Sequence, residues 1–257
     1  MTALFKDKVA LVTGGGSGIG RAASRRLAAE GASVIVADID EGNAGATADL
    51  IEKAGGKAIA VRTDISDEAG NTSMFDAGEA AFGGIDHAFL NAGTLQAYGP
   101  MEEVSLDTFD RMMRVNVRGT FLGLLEAQKR LREGGACVVT GSASSVTGFA
   151  EAIAYATSKH ALGGMVKSAA AGFARRDLRI NAIAPGLVLT PMNQFEQDDS
   201  LADPDALPNP DYRGGLTAQQ VAEVALFLLS PRSSGVNGQV QLVDAALLSA
   251  FPPLDEL

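Results

Sequence analysis

The sequence predicts an α/β protein in which helices cover both faces of a doubly wound parallel sheet of about seven strands. Three observations support this fold class. Short apolar runs alternate with helical stretches along the whole chain, which is typical of a buried parallel sheet. A glycine-rich turn joins the first apolar run to the first helix. The chain has 257 residues and 46% hydrophobic content, which fits one large domain better than two small ones.

The predicted elements follow from the period of the apolar residues. Strands are predicted at residues 9–12, 33–37, 57–61, 85–90, 136–140, 178–184 and 239–243. Helices are predicted at about residues 21–30, 106–132, 152–176 and 218–229. Residues 1–257 are expected to form a single domain, because neither a repeat nor a low-complexity tract divides them.

Charge and cysteine content exclude several classes of protein. The chain has 31 acidic and 21 basic residues, a formal net charge of -10, which argues against nucleic acid or an anionic membrane as a partner. Residues 1–8 lack the layout of a signal peptide, and charges interrupt every apolar stretch. The single cysteine, Cys137, lies in an apolar run, so we expect a core residue rather than a reactive thiol. A cytoplasmic location is predicted.

The glycine-rich turn spans residues 13–20, Thr-Gly-Gly-Gly-Ser-Gly-Ile-Gly. Because it lies between a strand and a helix, it brings backbone N–H groups to the positive end of a helix dipole, where a pyrophosphate fits. The alternative is a plain flexible turn. Asp38 ends the second strand, eighteen residues after Gly20, close to the spacing at which a carboxylate binds the adenosine ribose.

Asp38 favours NAD over NADP, because it would repel a 2′-phosphate by roughly 4 kcal/mol at a separation of about 4 Å. Ser17 and Ile39 offer no compensating cation. The alternative role for Asp38 is to end a strand or to cap the next helix.

Tyr155 and Lys159 are four residues apart in a helical pattern and therefore share one face. A nearby ammonium stabilises a phenolate, so this tyrosine could exchange a proton with an alcohol or a ketone. Packing on a helix surface is the alternative for the pair alone. Ser142 follows the fifth strand and could hydrogen-bond the same substrate oxygen, with Ser144 as a rival.

Residues 193–215 carry several prolines and acidic residues with little periodicity. A long irregular stretch after the sixth strand overhangs the edge of the sheet where ligands bind. We therefore expect a substrate lid at about residues 190–215, with an inert surface loop as the alternative.

The chain resembles the short-chain dehydrogenase/reductase family from Lys8 to about Val243. The matching motifs, in the family's order, are Thr13-Gly14-x3-Gly18-x-Gly20, Asn91-Ala92-Gly93, Asn116, Ser142, Tyr155, Lys159, and Pro185-Gly186 followed by Thr190. The resemblance implies a single Rossmann-like domain and an NAD-dependent oxidoreductase that interconverts a secondary alcohol and a ketone. It also implies a homotetramer built through the long helices, with a dimer as the second choice.

The resemblance assigns the catalytic roles. Tyr155 is expected to be the acid/base, and Ser142 to hold the substrate oxygen. Lys159 is expected to bind the nicotinamide ribose and to lower the pKa of Tyr155. Asn116 is expected to position a water in a proton relay, although a helix hydrogen bond is an alternative for it.

The resemblance also assigns the cofactor contacts. Asp64 and the backbone of Ile65 are expected to contact the adenine, with a strand-end cap as the alternative for Asp64. Val188 and Thr190 are expected to hold the carboxamide, while Asn91 supports the central strand. The full expected set is Gly14, Ser17, Gly18, Ile19, Gly20, Asp38, Asp64, Ile65, Asn91, Ala92, Gly93, Tyr155, Lys159, Pro185, Gly186, Val188 and Thr190.

Two departures from the family pattern concern strand packing and, near the end of the chain, a local turn and the C-terminal contacts between subunits. Leu90 stands where the family often has asparagine, and Ala245-Ala246 stand where many members have two glycines. His87 and His160 have no ligand-spaced partners, so no metal site is predicted.

The substrate pocket is predicted at residues 94–98, 144–149 and 192–212. These positions lack an arginine or lysine, which disfavours an anionic substrate, and they mix apolar with polar side chains. The apolar ones are Leu95, Val146, Phe149, Met192 and Phe195, and the others are Gln96, Gln194 and Tyr98. A mainly apolar cyclic or aliphatic alcohol suits such a pocket. The competing functions are an enoyl reductase or dehydratase on the same fold and a non-catalytic NAD-sensing protein.

Overall fold

The computed structural model describes residues 3–196 and 215–249. In chain order, its strands are β1 (Val9–Thr13), β2 (Ser33–Asp38), β3 (Lys57–Arg62), β4 (Ile85–Leu90), β5 (Leu131–Thr140), β6 (Arg179–Pro185), β7 (Val188–Leu189), β8 (Leu216–Thr217) and β9 (Val240–Val243). Its α-helices are α1 (Gly18–Ala29), α2 (Glu41–Lys53), α3 (Glu68–Phe82), α4 (Leu106–Met112), α5 (Thr120–Arg130), α6 (Ile153–Ala174) and α7 (Ala218–Leu229). A π-helix spans Met113–Gly119 between α4 and α5.

The main sheet of the described residues has seven strands, in the order β3-β2-β1-β4-β5-β6-β9, and every neighbouring pair is parallel. The strand order reverses between β1 and β4. At such a reversal the connecting segments diverge to opposite sides and leave a crevice at the carboxyl ends of the strands. The predicted fold class is confirmed.

Two apolar layers sandwich the sheet, because alternate residues of each strand point to opposite faces. Along β1, Ala10 and Val12 pack towards α1, α2 and α7, whereas Val9 and Leu11 pack towards α3, α5 and α6. Strands buried on both faces explain why the sequence shows continuous apolar runs rather than alternation.

The predicted helix at residues 106–132 is wrong in two respects. It is interrupted, since the π-helix separates α4 from α5. It also ends early, because Leu131 pairs with Ile85 and begins β5, which the sequence predicted only from residue 136. The register shifts before Ala136 pairs with His87, and Gly134 has a φ of +79°, so this part of the strand lacks a regular pattern.

His87 and Cys137 are buried in neighbouring central strands, as their structural interpretation predicts. The ring of His87 packs edge-on against Phe5, and within the described part of the chain its Nδ1 has no hydrogen-bond partner. Burial lowers the pKa of His87 to about 4, because the charged ring is disfavoured away from water. Burial also raises the pKa of the Cys137 thiol, so the inert form dominates.

Across residues 3–196 and 215–249, no cluster of three or more histidine, cysteine, aspartate or glutamate side chains is arranged to hold a metal ion. None of the helices in these ranges has the length and apolar character needed to cross a membrane.

Candidate active site

A cavity of about 700 Å³ opens at the carboxyl ends of the strands, over the reversal between β1 and β4. Open α/β sheets bind their ligands at this position. Most of the residues that the sequence predicts for the site form its wall. They are Gly14, Ser17, Gly18, Ile19, Asp38, Asp64, Ile65, Asn91, Ala92, Gly93, Ser142, Tyr155, Lys159, Pro185, Gly186, Val188 and Thr190.

The turn between β1 and α1 presents backbone to the cavity. Gly14 and Gly18 have φ values of +63° and +50°, a region that strains other residues. Because α1 begins at Gly18, the positive end of its dipole lies in this wall. A side chain on Gly18 would approach Thr190 to 3.2 Å. The turn therefore fits a pyrophosphate, which needs close backbone approach and positive charge.

Gly20 lies behind this turn and is not among the residues that line the cavity. A Cβ on Gly20 would lie 2.0 Å from the carbonyl oxygen of Gly14. The residue is glycine because α1 packs directly on the turn and leaves no room for a side chain.

Asp38, at the end of β2, both faces the cavity and organises the glycine turn. Its Oδ2 accepts the N–H of Gly16 at 2.9 Å, and its Oδ1 accepts the N–H of Asp40 at 3.0 Å. A carboxylate has about four acceptor sites, so capacity remains for two ribose hydroxyls. Beside it in the wall stand Ile39 and Ser17, neither of which carries a charge.

Asp64 and Ile65 follow β3 and close the same end of the cavity. The Asp64 carboxylate accepts the N–H of Ser66 at 2.8 Å, and the carbonyl of Ile65 accepts the Asn71 amide at 2.6 Å. These bonds hold a partly apolar edge that fits a flat purine.

Asn91 joins three strands at the bottom of the crevice. Its side-chain amide donates to the carbonyl of Thr13 at 3.2 Å, and its oxygen accepts the Thr140 hydroxyl at 3.0 Å. The Thr13 hydroxyl in turn accepts the N–H groups of Asn91 and Ala92, at 3.0 and 3.1 Å. The ends of β1, β4 and β5 are therefore fixed relative to one another.

Asn116 is buried within the π-helix, behind the wall of the cavity rather than in it. Its oxygen accepts the N–H of Thr94 at 2.8 Å, while its Nδ2 donates to the Thr94 carbonyl and to the Ser158 hydroxyl, both at 2.9 Å. The bulge in the helix turns this side chain to the chain segment that leaves β4. A Cβ on Gly93 would lie 3.2 Å from Asn116 Oδ1 and 3.4 Å from Lys159 Nζ.

Tyr155 lies in the first turn of α6, and its side chain lines the cavity together with that of Ser142, which acts to lower the pKa of Tyr155. Ser142 Oγ also accepts the N–H of Ser144 at 3.1 Å, and so caps a short 3₁₀ helix. Both serines line the cavity, but Ser142 is the one that acts on the pKa of Tyr155. This distinction was open at the level of sequence.

Lys159 Nζ donates to the carbonyl of Thr140 at 2.8 Å and lies 5.7 Å from the centre of the Tyr155 ring. Burial lowers the pKa of Lys159 to about 8. Burial raises the pKa of Tyr155, and Ser142 opposes that rise. Lys159 is not among the causes of the Tyr155 pKa shift, and its ammonium is directed to the Thr140 carbonyl. That Lys159 lowers the pKa of Tyr155 therefore stays a prediction.

Two arginines, Arg111 and Arg114, also line the cavity. The prediction of a wall without arginine or lysine, which considered only the loops after the strands, is wrong for the cavity as a whole. Helix α4 and the π-helix bring these side chains to the rim, and both residues are solvent-exposed.

Gln96 is buried and does not line the cavity, which corrects its predicted place in the substrate pocket. Its neighbours Leu95 and Tyr98 do line it, as do Thr147 and Phe149. The loop after β4 turns Gln96 inwards, where its oxygen accepts a backbone N–H of α6.

The sequence analysis missed Leu247 and Leu248, which complete the wall after β9. The Asp244 carboxylate accepts the N–H groups of Ala246 and Leu248, at 3.2 and 2.9 Å, and folds the chain back over the site. Ala245 and Ala246 have φ values of +50° and +69°. In the sequence, only the absence of the family's glycines at these two positions indicated that the turn after β9 is unusual.

At the start of the predicted lid, Met192 and Asn193 line the cavity. The Asn193 amide donates to the carbonyl of Val188 at 2.8 Å, which fixes this short helix to the strand end. Most of the predicted lid, including Tyr212, falls in residues 197–214 and lies outside the described residues.

A family model described as "Enoyl-(Acyl carrier protein) reductase" matches residues 14–246. Levodione reductase of Leifsonia aquatica is 38% identical, over 97% of this chain and 97% of its own length. The chain belongs to the short-chain dehydrogenase/reductase family. The resemblance seen in the motifs is confirmed, and the protein is an oxidoreductase of this family.

Two other relatives in this family are named for ring alcohols. The 2,5-dichloro-2,5-cyclohexadiene-1,4-diol dehydrogenase of Sphingobium indicum is 39% identical, over 93% of this chain and 96% of that protein. Cyclohexanol dehydrogenase of an Acinetobacter species is 34% identical, over 97% of this chain and 98% of that protein.

Solved structures of the short-chain dehydrogenase/reductase family superimpose closely on the chain. Levodione reductase gives a TM-score of 0.86 at 35% identity, covering 96% of this chain and all of that one. A short chain dehydrogenase from Burkholderia cenocepacia in complex with NADP gives 0.82 at 32% identity, covering 94% and 98%. A 3-ketoacyl-(acyl-carrier-protein) reductase from Brucella melitensis complexed with NADH gives 0.82 at 29%, covering 95% and 99%. The family uses nicotinamide cofactors, and the last two of these structures contain NADP and NADH respectively.

Proposed function

We propose that this protein is an NAD(H)-dependent dehydrogenase that interconverts a secondary alcohol and a ketone on a small, mainly apolar ring. The convergence of Tyr155 and Ser142 on one cavity, with Lys159 one helical turn away in the same wall, carries the proposal. A phenol and a hydroxyl that converge on one point can hold a carbonyl or carbinol oxygen and exchange its proton.

The proton chemistry belongs to Tyr155. In the oxidative direction the phenolate takes the hydroxyl proton of the alcohol, and in the reductive direction the phenol gives a proton to the carbonyl oxygen. Ser142 holds that oxygen, and it acts to lower the pKa of Tyr155, which favours the phenolate. When bound, the nicotinamide ring accepts or supplies the hydride.

Lys159 and Asn116 are proposed to support this proton exchange. Lys159 would bind the nicotinamide ribose, and its pKa of about 8 suits a group that passes protons near neutral pH. Asn116 would help to position a water between Lys159 and solvent. Both side chains lie against Gly93, which has no side chain to separate them.

NAD is proposed as the cofactor, because Asp38 stands where the adenosine ribose would lie. Its carboxylate suits two ribose hydroxyls and would repel a 2′-phosphate by roughly 4 kcal/mol at about 4 Å. The glycine turn would hold the pyrophosphate, Asp64 and Ile65 the adenine, and Val188 and Thr190 the carboxamide.

A ring substrate is supported by the apolar wall and by the relatives. Tyr98 and Phe149 form an aromatic pair with ring centres 5.5 Å apart, and both line the cavity together with Leu95 and Met192. Flat or puckered rings pack well against such side chains. The relatives named for cyclohexanol and for a cyclohexadiene diol agree with this choice.

The test is an NADH absorbance assay with ring alcohols, polyols, hydroxysteroids and 3-hydroxyacyl thioesters. We expect turnover with ring alcohols and a preference for NAD. Tyr155→Phe should lower kcat at least about a hundredfold, since acid–base catalysis contributes about 10²–10⁴. Its Kd for NADH should stay near normal. Undiminished turnover in this variant would remove Tyr155 from the proposed role.

An enoyl reductase is the second candidate, because the matching family model carries that description. Reduction of a carbon–carbon double bond does not require a serine and a tyrosine to converge on the reacting oxygen as Ser142 and Tyr155 do. An assay with unsaturated acyl thioesters separates the two, and turnover confined to those substrates would favour the enoyl reductase.

The chain is further proposed to act as a homotetramer in the cytoplasm. Leu106 and Phe109 on α4 and Phe121 on α5 are exposed apolar side chains, which suits burial against a second copy of these helices. Light scattering after size exclusion should give four chains, and a monomer would contradict the proposal.

Residues 190–215 are proposed as the substrate lid, and deleting part of this segment should raise KM for the substrate more than KM for NAD.

A further inference from the structure

We infer that Gln96 is a positioning residue, which fixes the backbone of Tyr155 relative to the wall that holds the substrate. The inference rests on the proposed function, because it takes Tyr155 as the acid/base. Gln96 acts through another residue, since its side chain does not line the cavity.

The first observation is the missing cap of α6. The first N–H groups of a helix have no partner within it, and a side chain before the helix usually supplies one. Here the preceding residue is Ala152, which makes no side-chain hydrogen bond. Gln96 Oε1 supplies the acceptor instead, at 2.9 Å from the N–H of Tyr155. The cap therefore comes from a loop 59 positions away and acts on the catalytic residue itself.

The second observation is that the same loop builds the substrate wall. Leu95 and Tyr98 flank Gln96 and line the cavity. The loop is joined to the chain before α6 at a second point, where the N–H of Gly99 donates to the carbonyl of Glu151 at 2.9 Å. Gln96 therefore connects two parts of the site. One is the loop that forms the substrate wall, and the other is the backbone of Tyr155, whose phenol exchanges the proton.

The third observation is the state of the amide nitrogen. Gln96 is 3% exposed, and among residues 3–196 and 215–249 its Nε2 has no hydrogen-bond partner. A buried unpaired donor destabilises the fold, and an apolar side chain of the same shape would avoid it. The oxygen is placed unambiguously, because only the oxygen can accept from an N–H group. Packing alone therefore does not account for glutamine here.

The test uses three variants of the full-length protein. Gln96→Leu removes the acceptor with little change in volume, and Gln96→Asn keeps the amide but shortens its reach by one methylene. Gln96→Glu keeps an oxygen at the same distance in either protonation state. Ser105→Ala is the matched control, since Ser105 Oγ likewise accepts a first-turn N–H, of Thr108 at 3.1 Å, but at the exposed start of α4.

We expect Gln96→Leu and Gln96→Asn to lower kcat about 10- to 100-fold, the scale of a small misplacement of catalytic groups. KM for NAD should not change. The kcat pH profile should move to higher pH, because a displaced phenol loses the effect of Ser142, which lowers its pKa. Gln96→Glu should restore kcat to within about threefold of the wild type, and Ser105→Ala should leave kcat and the pH profile unchanged.

A purely structural role would lower the melting temperature of the Leu and Asn variants and leave the pH profile of the folded enzyme in place, and that result overturns the inference. Failure of Gln96→Glu to restore kcat would also overturn it. If the Leu variant does not fold, the Asn variant decides by the same criteria. Tyr155→Phe is assayed in parallel: retained turnover there refutes the proposed function, whereas loss of turnover with unaltered Gln96 variants refutes only the role of Gln96.

Discussion

The turn after β9 contains two consecutive alanines in the left-handed region of backbone conformation, and this predicts a stabilising substitution. Ala245 and Ala246 have φ values of +50° and +69°. For residues with a Cβ this region costs about 1–2 kcal/mol each. Glycine avoids the strain, but its freedom in the unfolded chain offsets about 0.4–1 kcal/mol. The net gain is about 0.5–1 kcal/mol at a position where no packing is lost.

The two positions differ in what their methyl groups contact. Ala246 is exposed, whereas Ala245 packs against the apolar layer on the α7 side of the sheet. Removing a buried methyl costs up to about 0.8 kcal/mol, so Ala245→Gly should be close to neutral. Ala246→Gly should raise the free energy of unfolding by about 0.5–1 kcal/mol, and the melting temperature by about 1–4 °C for a chain of this size.

The measurement is urea unfolding followed by fluorescence or circular dichroism, with differential scanning fluorimetry for the melting temperature. Ala54→Gly is the matched control, because Ala54 is also exposed and has an ordinary φ of -84°. It should lower stability by about 0.5–1 kcal/mol. If Ala246→Gly and Ala54→Gly change stability in the same direction, backbone strain in this turn is refuted.

Three further predictions concern charge. Replacing Asp38 by alanine and Ile39 by arginine should raise the kcat/KM ratio of NADP to NAD by about 10²–10³, since a repulsion of roughly 4 kcal/mol is lost; an unchanged ratio would contradict the ribose assignment. Lowering the pH from 6.5 to 4 should remove up to about 3 kcal/mol of stability through His87, because the unfolded histidine gains a proton near 6.5 and the folded one only near 4. The urea midpoints at pH 7 and pH 4.5 should therefore differ less in His87→Leu than in the wild type. If the two differences are equal, His87 is not the cause of the loss of stability at low pH. Lys159→Met should be inactive but about 1–3 kcal/mol more stable at pH 7, because a buried ammonium with a pKa of about 8 disfavours folding until it loses its proton. The difference in urea midpoint between Lys159→Met and the wild type should narrow as the pH rises from 8 to 10.5. If the variant is less stable than the wild type at pH 7, this account is refuted.

Much of the cavity wall could be predicted from the sequence because short motifs follow directly after strands. A parallel sheet places the ends of β1, β2 and β4 at one edge, so Gly14, Asp38 and Asn91 meet there whatever the loops do. The three-to-four-residue spacing of a helix likewise puts Tyr155 and Lys159 on one face. Such inferences depend only on local geometry and on the order of the strands.

Other features depend on what packs against a loop, which a local pattern does not record. The sequence placed Gln96 in the substrate pocket, but the start of α6 turns it inwards. The π-helix around Asn116 has no distinct apolar period, so it merged with its neighbours into one predicted helix. The direction of the Tyr155 pKa shift depends on burial and on where the Lys159 ammonium points, neither of which follows from their spacing.

The small ladder of β7 and β8 has a consequence for how this protein can change. Val188 and Leu189 pair with Leu216 and Thr217, and the N–H of Leu216 also donates to the carbonyl of Leu187 at 2.9 Å. These main-chain bonds hold together the two ends of the segment that connects β7 to β8, and they do not depend on the side chains of that segment. Closing a loop becomes harder only logarithmically with its length, by about 0.6 kcal/mol per doubling. Evolution or a designer can therefore replace the part of this segment after Thr190 with a longer or shorter one, and so change which substrates the enzyme accepts while the sheet beneath it folds as before.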